Sequence, residues 1–121
     1  MSYRSDVTLV FSTSEELSRK TEEYELWVTG EGKDSILDTL KFVFCTMQEE
    51  EELVEFSSVN TRWYEFCDNP KIDRVVYYLR WLDSQGLDTS YQFIRLGDEI
   101  TDIEERGALS YYEVHRVLKK F

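Results

Sequence analysis

With 121 residues, 41% of them hydrophobic and 15% aromatic, the chain is expected to fold as one domain over residues 1–121, which excludes a disordered tail. The formal net charge of −11 is unevenly held: residues 1–60 carry 5 basic and 14 acidic side chains, residues 61–121 carry 9 and 11. A surface of this sign repels phosphate backbones, so the expectation is no direct nucleic-acid binding and favourable long-range steering of basic partners.

No apolar run approaches the ~18 residues of a membrane span, and Met1-Ser2-Tyr3-Arg4-Ser5-Asp6 lacks the apolar core of a signal peptide. Two cysteines, Cys45 and Cys67, imply neither a disulfide framework nor a metal knuckle, so a cytoplasmic location with reduced thiols is expected. Cys45 lies in an apolar run and reads as a small core residue.

Val7, Leu9 and Phe11 alternate with Thr8 and Val10, the pattern of a short first strand. Ser12-Thr13-Ser14-Glu15-Glu16 offers a capping box, Thr13 with Glu16 or Ser12 with Glu15, for a helix whose apolar stripe of Leu17, Tyr24, Trp27 and Val28 is thin. Such a helix should lie on the surface. Gly30-Glu31-Gly32 interrupts it, and Asp34 or Ser35 can cap a second helical segment containing Ile36, Leu37, Leu40, Phe44 and Met47, with Phe42 and Val43 extending its stripe. Because Phe42-Val43-Phe44 is also β-prone, a strand over Leu40 to Cys45 is the alternative within 34–47. Glu49, Glu50, Glu51 and Glu52 suit a helix C-terminus poorly, since the macrodipole disfavours negative charge there, and are placed in a loop.

Val54, Phe56, Val59, Trp63, Tyr64 and Phe66 predict one or two strands leading to the most legible element. Ile72, Val75, Val76, Leu79 and Leu82 form one helical stripe, opened by Asp68 or Asn69 with Pro70 in the first turn and ended at Gly86, so a helix runs from Pro70 to about Gln85. Tyr77 and Trp81, four apart and off this stripe, widen the core or meet a second layer, whereas Asp83 looks dispensable. Tyr91 to Leu96 alternates as a strand, Gly97-Asp98 suggests a two-residue hairpin turn, and Ile100 to Glu104 would be the partner strand. Tyr111, Tyr112, Val114, Val117 and Leu118 predict a last strand or short helix. The order of elements fits an α+β domain, a mostly antiparallel sheet with helices on one face, of ferredoxin-like type.

The opening Met1-Ser2-Tyr3-Arg4-Ser5-Asp6-Val7, the triplet Arg62-Trp63-Tyr64, and Phe93-Ile94-Arg95-Leu96-Gly97-Asp98-Glu99 followed by Asp102-Ile103-Glu104 resemble segments of a group of small tailed-bacteriophage and prophage proteins. About half the chain is covered. Similar proteins tend to read Arg-Ile-Gly-Glu where this one has Arg95-Leu96-Gly97-Asp98. The resemblance implies a phage origin and brings no activity, cofactor or site with it.

Little in the chain suggests catalysis. The single histidine, His115, has no evident nucleophile or orienting partner. Asp98, Glu99, Asp102, Glu104 and Glu105 are the carboxylates of an alternative reading, a metal-dependent enzyme, but strand alternation sends neighbours to opposite faces and no calcium-loop spacing is present. Gly30-Glu31-Gly32 lacks the strand-to-helix context of a phosphate loop. The expectation is therefore a non-enzymatic protein without cofactor or metal, a phage factor that binds and inhibits a host defence or nucleic-acid-handling protein in the host cytoplasm. Glu15, Glu16, Glu22, Glu23, Glu49, Glu50, Glu51 and Glu52 would form a face mimicking nucleic-acid phosphates, with Tyr77 and Trp81 as aromatic contacts. Acidity that serves solubility alone, or a homodimer formed through exposed aromatics, are the other readings.

Overall fold

The computed structural model of the protein describes residues 4–28, 35–63, 70–99 and 101–112. In chain order the elements are β1 (Ser5–Ser12), α1 (Glu15–Val28), α2 (Ile36–Val43), β2 (Thr46–Glu49), β3 (Leu53–Thr61), α3 (Pro70–Ser84), β4 (Tyr91–Leu96) and β5 (Ile103–Arg106). The class is α+β. Its five strands form one sheet in the order β2-β3-β1-β4-β5, with every neighbouring pair antiparallel.

The register assigns the faces. Phe11 lies opposite Val54 and Tyr91, Leu9 opposite Phe56 and Phe93, and these side chains share one core cluster with residues of all three helices, among them Leu17, Tyr24, Leu40 and Leu79. The intervening residues, Thr8, Val10, Glu55, Gln92 and Ile94, point the other way.

α3 follows its sequence pattern closely, burying Ile72, Val75, Val76, Leu79 and Leu82, and also Tyr78. Gly86 takes φ 72°, Gly86 N donates to Asp83 O at 3.2 Å and Leu87 N to Leu82 O at 2.9 Å, the paired bonds of a Schellman ending. The predicted cap at Asp68 or Asn69 lies outside the described residues. Asp83 corrects an expectation: although exposed, it accepts a 2.7 Å hydrogen bond from the hydroxyl of the fully buried Tyr91.

The two shorter helices depart further. At α1, neither expected capping box forms; Ser14 Oγ accepts from Leu17 N at 3.1 Å and is the cap. The second segment splits. α2, capped by Ser35 through Asp38 N at 3.1 Å, ends at Val43, Phe44 turns extended at φ −98°, and Met47 belongs to β2, where it pairs with Phe56. Helix and strand thus share 35–47, because an eight-residue helix suffices to bury Ile36, Thr39 and Leu40 and cross-strand pairing claims the rest. Phe42 leaves the stripe: it is 69% exposed under the Lys71 ammonium, 4.4 Å from the ring centroid. Cys45 is exposed rather than core. Glu49 ends β2, and only Glu50, Glu51 and Glu52 form the turn.

The register shifts between Ser5 and Val7, where Val59 and Asn60 of β3 together face the single Asp6 of β1; Asn60 in this bulge has φ 54° and Val59 is exposed. Trp63 is buried, its ring 5.6 Å from both Phe44 and Phe93. The β4–β5 connection is longer than the expected two-residue turn. Gly97 N donates to Asp102 O at 2.7 Å, pairing resumes at Leu96 with Ile103, and the Asp102 carboxylate occupies the space a Cβ at Gly97 would need. Ile100 is outside the described residues.

Beyond β5 the chain forms a strap across the face opposite the described helices. Gly107, at φ 83°, packs where a Cβ would strike the Tyr91 carbonyl, and Leu109 N donates to that oxygen at 3.1 Å. Tyr112 exchanges two 2.8 Å hydrogen bonds with the Gln92 amide and donates from its hydroxyl to Glu55 at 2.7 Å, thereby spanning Val10 from β4 to β3. No described helix is long and apolar enough to cross a membrane. Tyr64, Phe66, Cys67, Val114, His115, Val117 and Leu118 lie outside the described residues.

Candidate partner-binding face

α1 carries Leu17, Thr21 and Tyr24 inward at i, i+4 and i+7, too narrow a stripe to seal its flank against α2 and the β2–β3 hairpin. An open cavity of about 340 Å3 lies between them. Phe11, Leu17, Ile36, Leu40, Val54 and Phe56 make its wall apolar, with Met47 from β2 and Tyr78 from α3. Ser18, Leu37 and Glu49 line it too, and all three are exposed, which places them at the mouth. The Tyr78 and Thr21 hydroxyls share a 2.7 Å hydrogen bond. Burial pushes the Tyr78 phenol up to about 12, partly offset by Thr21.

The carboxylates gather beside this mouth. Thr13 N donates to Glu52 O at 2.9 Å, which fixes the acidic hairpin turn next to the first turn of α1 and its Glu15 and Glu16. That position suits negative charge, since the N-terminus of a helix presents the positive end of its dipole. A shallow depression bordered by Glu15, Arg19 and Glu22 shares Ser18 with the groove. Glu15, Glu22, Glu49, Glu50, Glu51 and Glu52 therefore converge on one end of the domain, with Arg19 between Glu15 and Glu22. Glu16 and Glu23 are exposed on the neighbouring flank of α1, and Glu23 pairs with Lys20 at 3.6 Å.

The aromatic candidates divide. Tyr77 is 53% exposed on α3, whereas Trp81 packs into the core edge, 4.8 Å from Tyr24 and 6.4 Å from Tyr78. Trp81 is a packing residue first. Sequence reasoning missed Ser18, Leu37 and Met47, since only the folding of two helices around a hairpin brings them to one opening; the thin α1 stripe was the available signal.

Asp98 to Glu105 form no open carboxylate cluster. Arg95 reaches Asp102 with Nη2 at 2.8 Å and Nη1 at 3.2 Å, Glu104 with Nε at 3.4 Å, and Ser5 Oγ at 3.2 Å. The Asp102 hydrogen bond is the main reason the guanidinium is raised further above its ordinary range. Asp98 accepts from Arg4 N at 3.2 Å, and Glu105 pairs with Ile94 on the opposite face. Among the described residues, no three His, Cys, Asp or Glu side chains are grouped to hold a metal ion.

Comparison of the chain with protein-family models, curated proteins and solved structures gives no match.

Proposed function

We propose that this is a non-enzymatic interaction protein of phage origin that binds and inhibits a host defence or nucleic-acid-handling protein, presenting carboxylates in place of nucleic-acid phosphates. The observation that carries the reading is the convergence of Glu15, Glu22 and the hairpin residues Glu49, Glu50, Glu51 and Glu52 on one end of the fold. Carboxylates held by a hairpin and a helix start are a rigid array, and a rigid array of one sign steers a basic surface into register. The scaffold fits a ferredoxin-like arrangement: the order β2-β3-β1-β4 places each helix-containing crossover between strands split by a third, and β5 adds one strand.

The test starts with capture of a host partner at low and high salt, followed by association kinetics. Exposed charges are screened beyond about 8–10 Å at physiological ionic strength, so association should weaken steeply with salt. Changing Glu49, Glu50, Glu51 and Glu52 together to Gln should slow association more than it speeds dissociation. Salt-independent binding that survives those changes would remove phosphate mimicry.

A further inference from the structure

The groove beside the acidic turn is apolar, open and oddly placed for a region whose charge alone would serve solubility. We propose that it is an anchor pocket for one apolar side chain, leucine, methionine or phenylalanine, carried by a basic segment of the partner protein; this rests on the acidic-face reading above. Three features support that occupant. First, the cavity of about 340 Å3 sits at the lower end of the ~300–1,000 Å3 range of small-molecule sites and has room for a branched or aromatic side chain. Second, Thr21 and Tyr78 bond their hydroxyls to each other and the Ser18 hydroxyl lies out at the mouth, so the interior does not offer the convergent polar handles that orient a polar metabolite. Third, the charge at the opening is mainly negative: Glu49 lines the mouth, Glu50 to Glu52 continue from it, and Glu15 and Glu22 border, with Arg19 between them, the depression that shares Ser18.

An apolar socket inside an acidic rim complements a segment in which Lys or Arg flank a hydrophobic side chain. This division of labour is common at interfaces, where a buried anchor sets residence time and rim charges set encounter rate. The groove lies between a helix flank and a hairpin, so a short helical or extended segment can lay its anchor into it without moving either element.

Two dye-labelled, lysine-rich twelve-residue peptides test the proposal by fluorescence polarisation, one with two central leucines and one with serines in their place. The leucine peptide should bind about tenfold tighter or more, the ratio expected from burying one such side chain. Ser18→Trp, at an exposed position on the mouth, should plug the groove and bring the leucine peptide down to the affinity of the serine peptide, leaving the latter unchanged. Glu49→Gln should weaken both. Methyl NMR gives a second readout: the leucine peptide should shift Leu37, Leu40 and Met47, the serine peptide should not. Equal affinities in the unmodified protein, or a leucine advantage that survives Ser18→Trp, would overturn the anchor pocket while leaving the acidic face standing. Failure of both peptides to bind in a salt-sensitive way would overturn the two together.

Discussion

α1 and α3 cover the same face of the same sheet, and they do so very differently. α3 buries Ile72, Val75, Val76, Tyr78, Leu79 and Leu82 along its length. Among the described side chains of α1, only Leu17 and Tyr24 are buried, and Leu26 is 85% exposed. The α3 side is a sealed core whose energetics are those of close packing. The α1 side is held by the Ser14 cap, by Tyr24 against Tyr78 and Trp81, by the 2.7 Å Thr21–Tyr78 hydrogen bond and by the Glu25 carboxylate accepting from Ile36 N at 2.9 Å, and the cavity and most of the clustered carboxylates lie along its other flank. Close packing and clustered exposed carboxylates are thus separated onto two helices, and carboxylates tolerated on the loosely packed side would be costly on the other.

The contrast is broken most directly by matched truncations. Leu79→Ala should cost about 2–5 kcal/mol in urea denaturation, because Leu79 is 0% exposed and its loss leaves a closed void. Leu17→Ala should fall below about 2 kcal/mol, since the void opens into the groove instead of staying sealed. Equal losses at the two sites would mean that α1 is packed as firmly as α3.

Next in size is Asp83→Ala, for which about 1–3 kcal/mol is expected because the buried Tyr91 hydroxyl loses its acceptor. Tyr91→Phe in the same background should recover part of the loss. A neutral Asp83→Ala would reduce that hydrogen bond to an incidental contact. On the α1 side, Ser14→Ala should remove the cap on Leu17 N and cost about 1 kcal/mol. Hydrogen exchange should then rise in α1 and stay unchanged in α3, reporting that the two helices open separately.

The smallest effect at neutral pH is the alkaline one. Tyr78 titrates at about 12 in the fold and near the ordinary tyrosine value of about 10 when unfolded. A folded value raised above the unfolded one contributes stability that is whole below pH 10 and lost as pH rises toward 12, because only the unfolded chain releases its proton in that window. Burial of Tyr24 and Tyr91 acts in the same direction, as does the Glu55 hydrogen bond that lifts Tyr112 to about 12. Unfolding should therefore set in between pH 10 and 12, followed by tyrosinate absorbance. Tyr78→Phe should delay it without affecting the melting temperature's pH dependence below pH 9.

By itself the sequence determined the elements whose signals are local. The α3 stripe with its Gly86 ending, the alternation in β1 and β4, the α+β class and the acidity of residues 1–60 are all written in neighbouring residues, since period and cap chemistry need no distant partner. What only the tertiary structure decided depends on which residue meets which across the fold. α2 stops at Val43 because Met47 finds Phe56 on β3, the β4–β5 turn lengthens because Asp102 is drawn onto Arg95, and Asp83 matters because Tyr91 arrives beneath it. The groove belongs to the same class: Leu37, Ser18 and Glu49 sit on three elements, and no periodicity within any one of them encodes a space that the others leave unfilled.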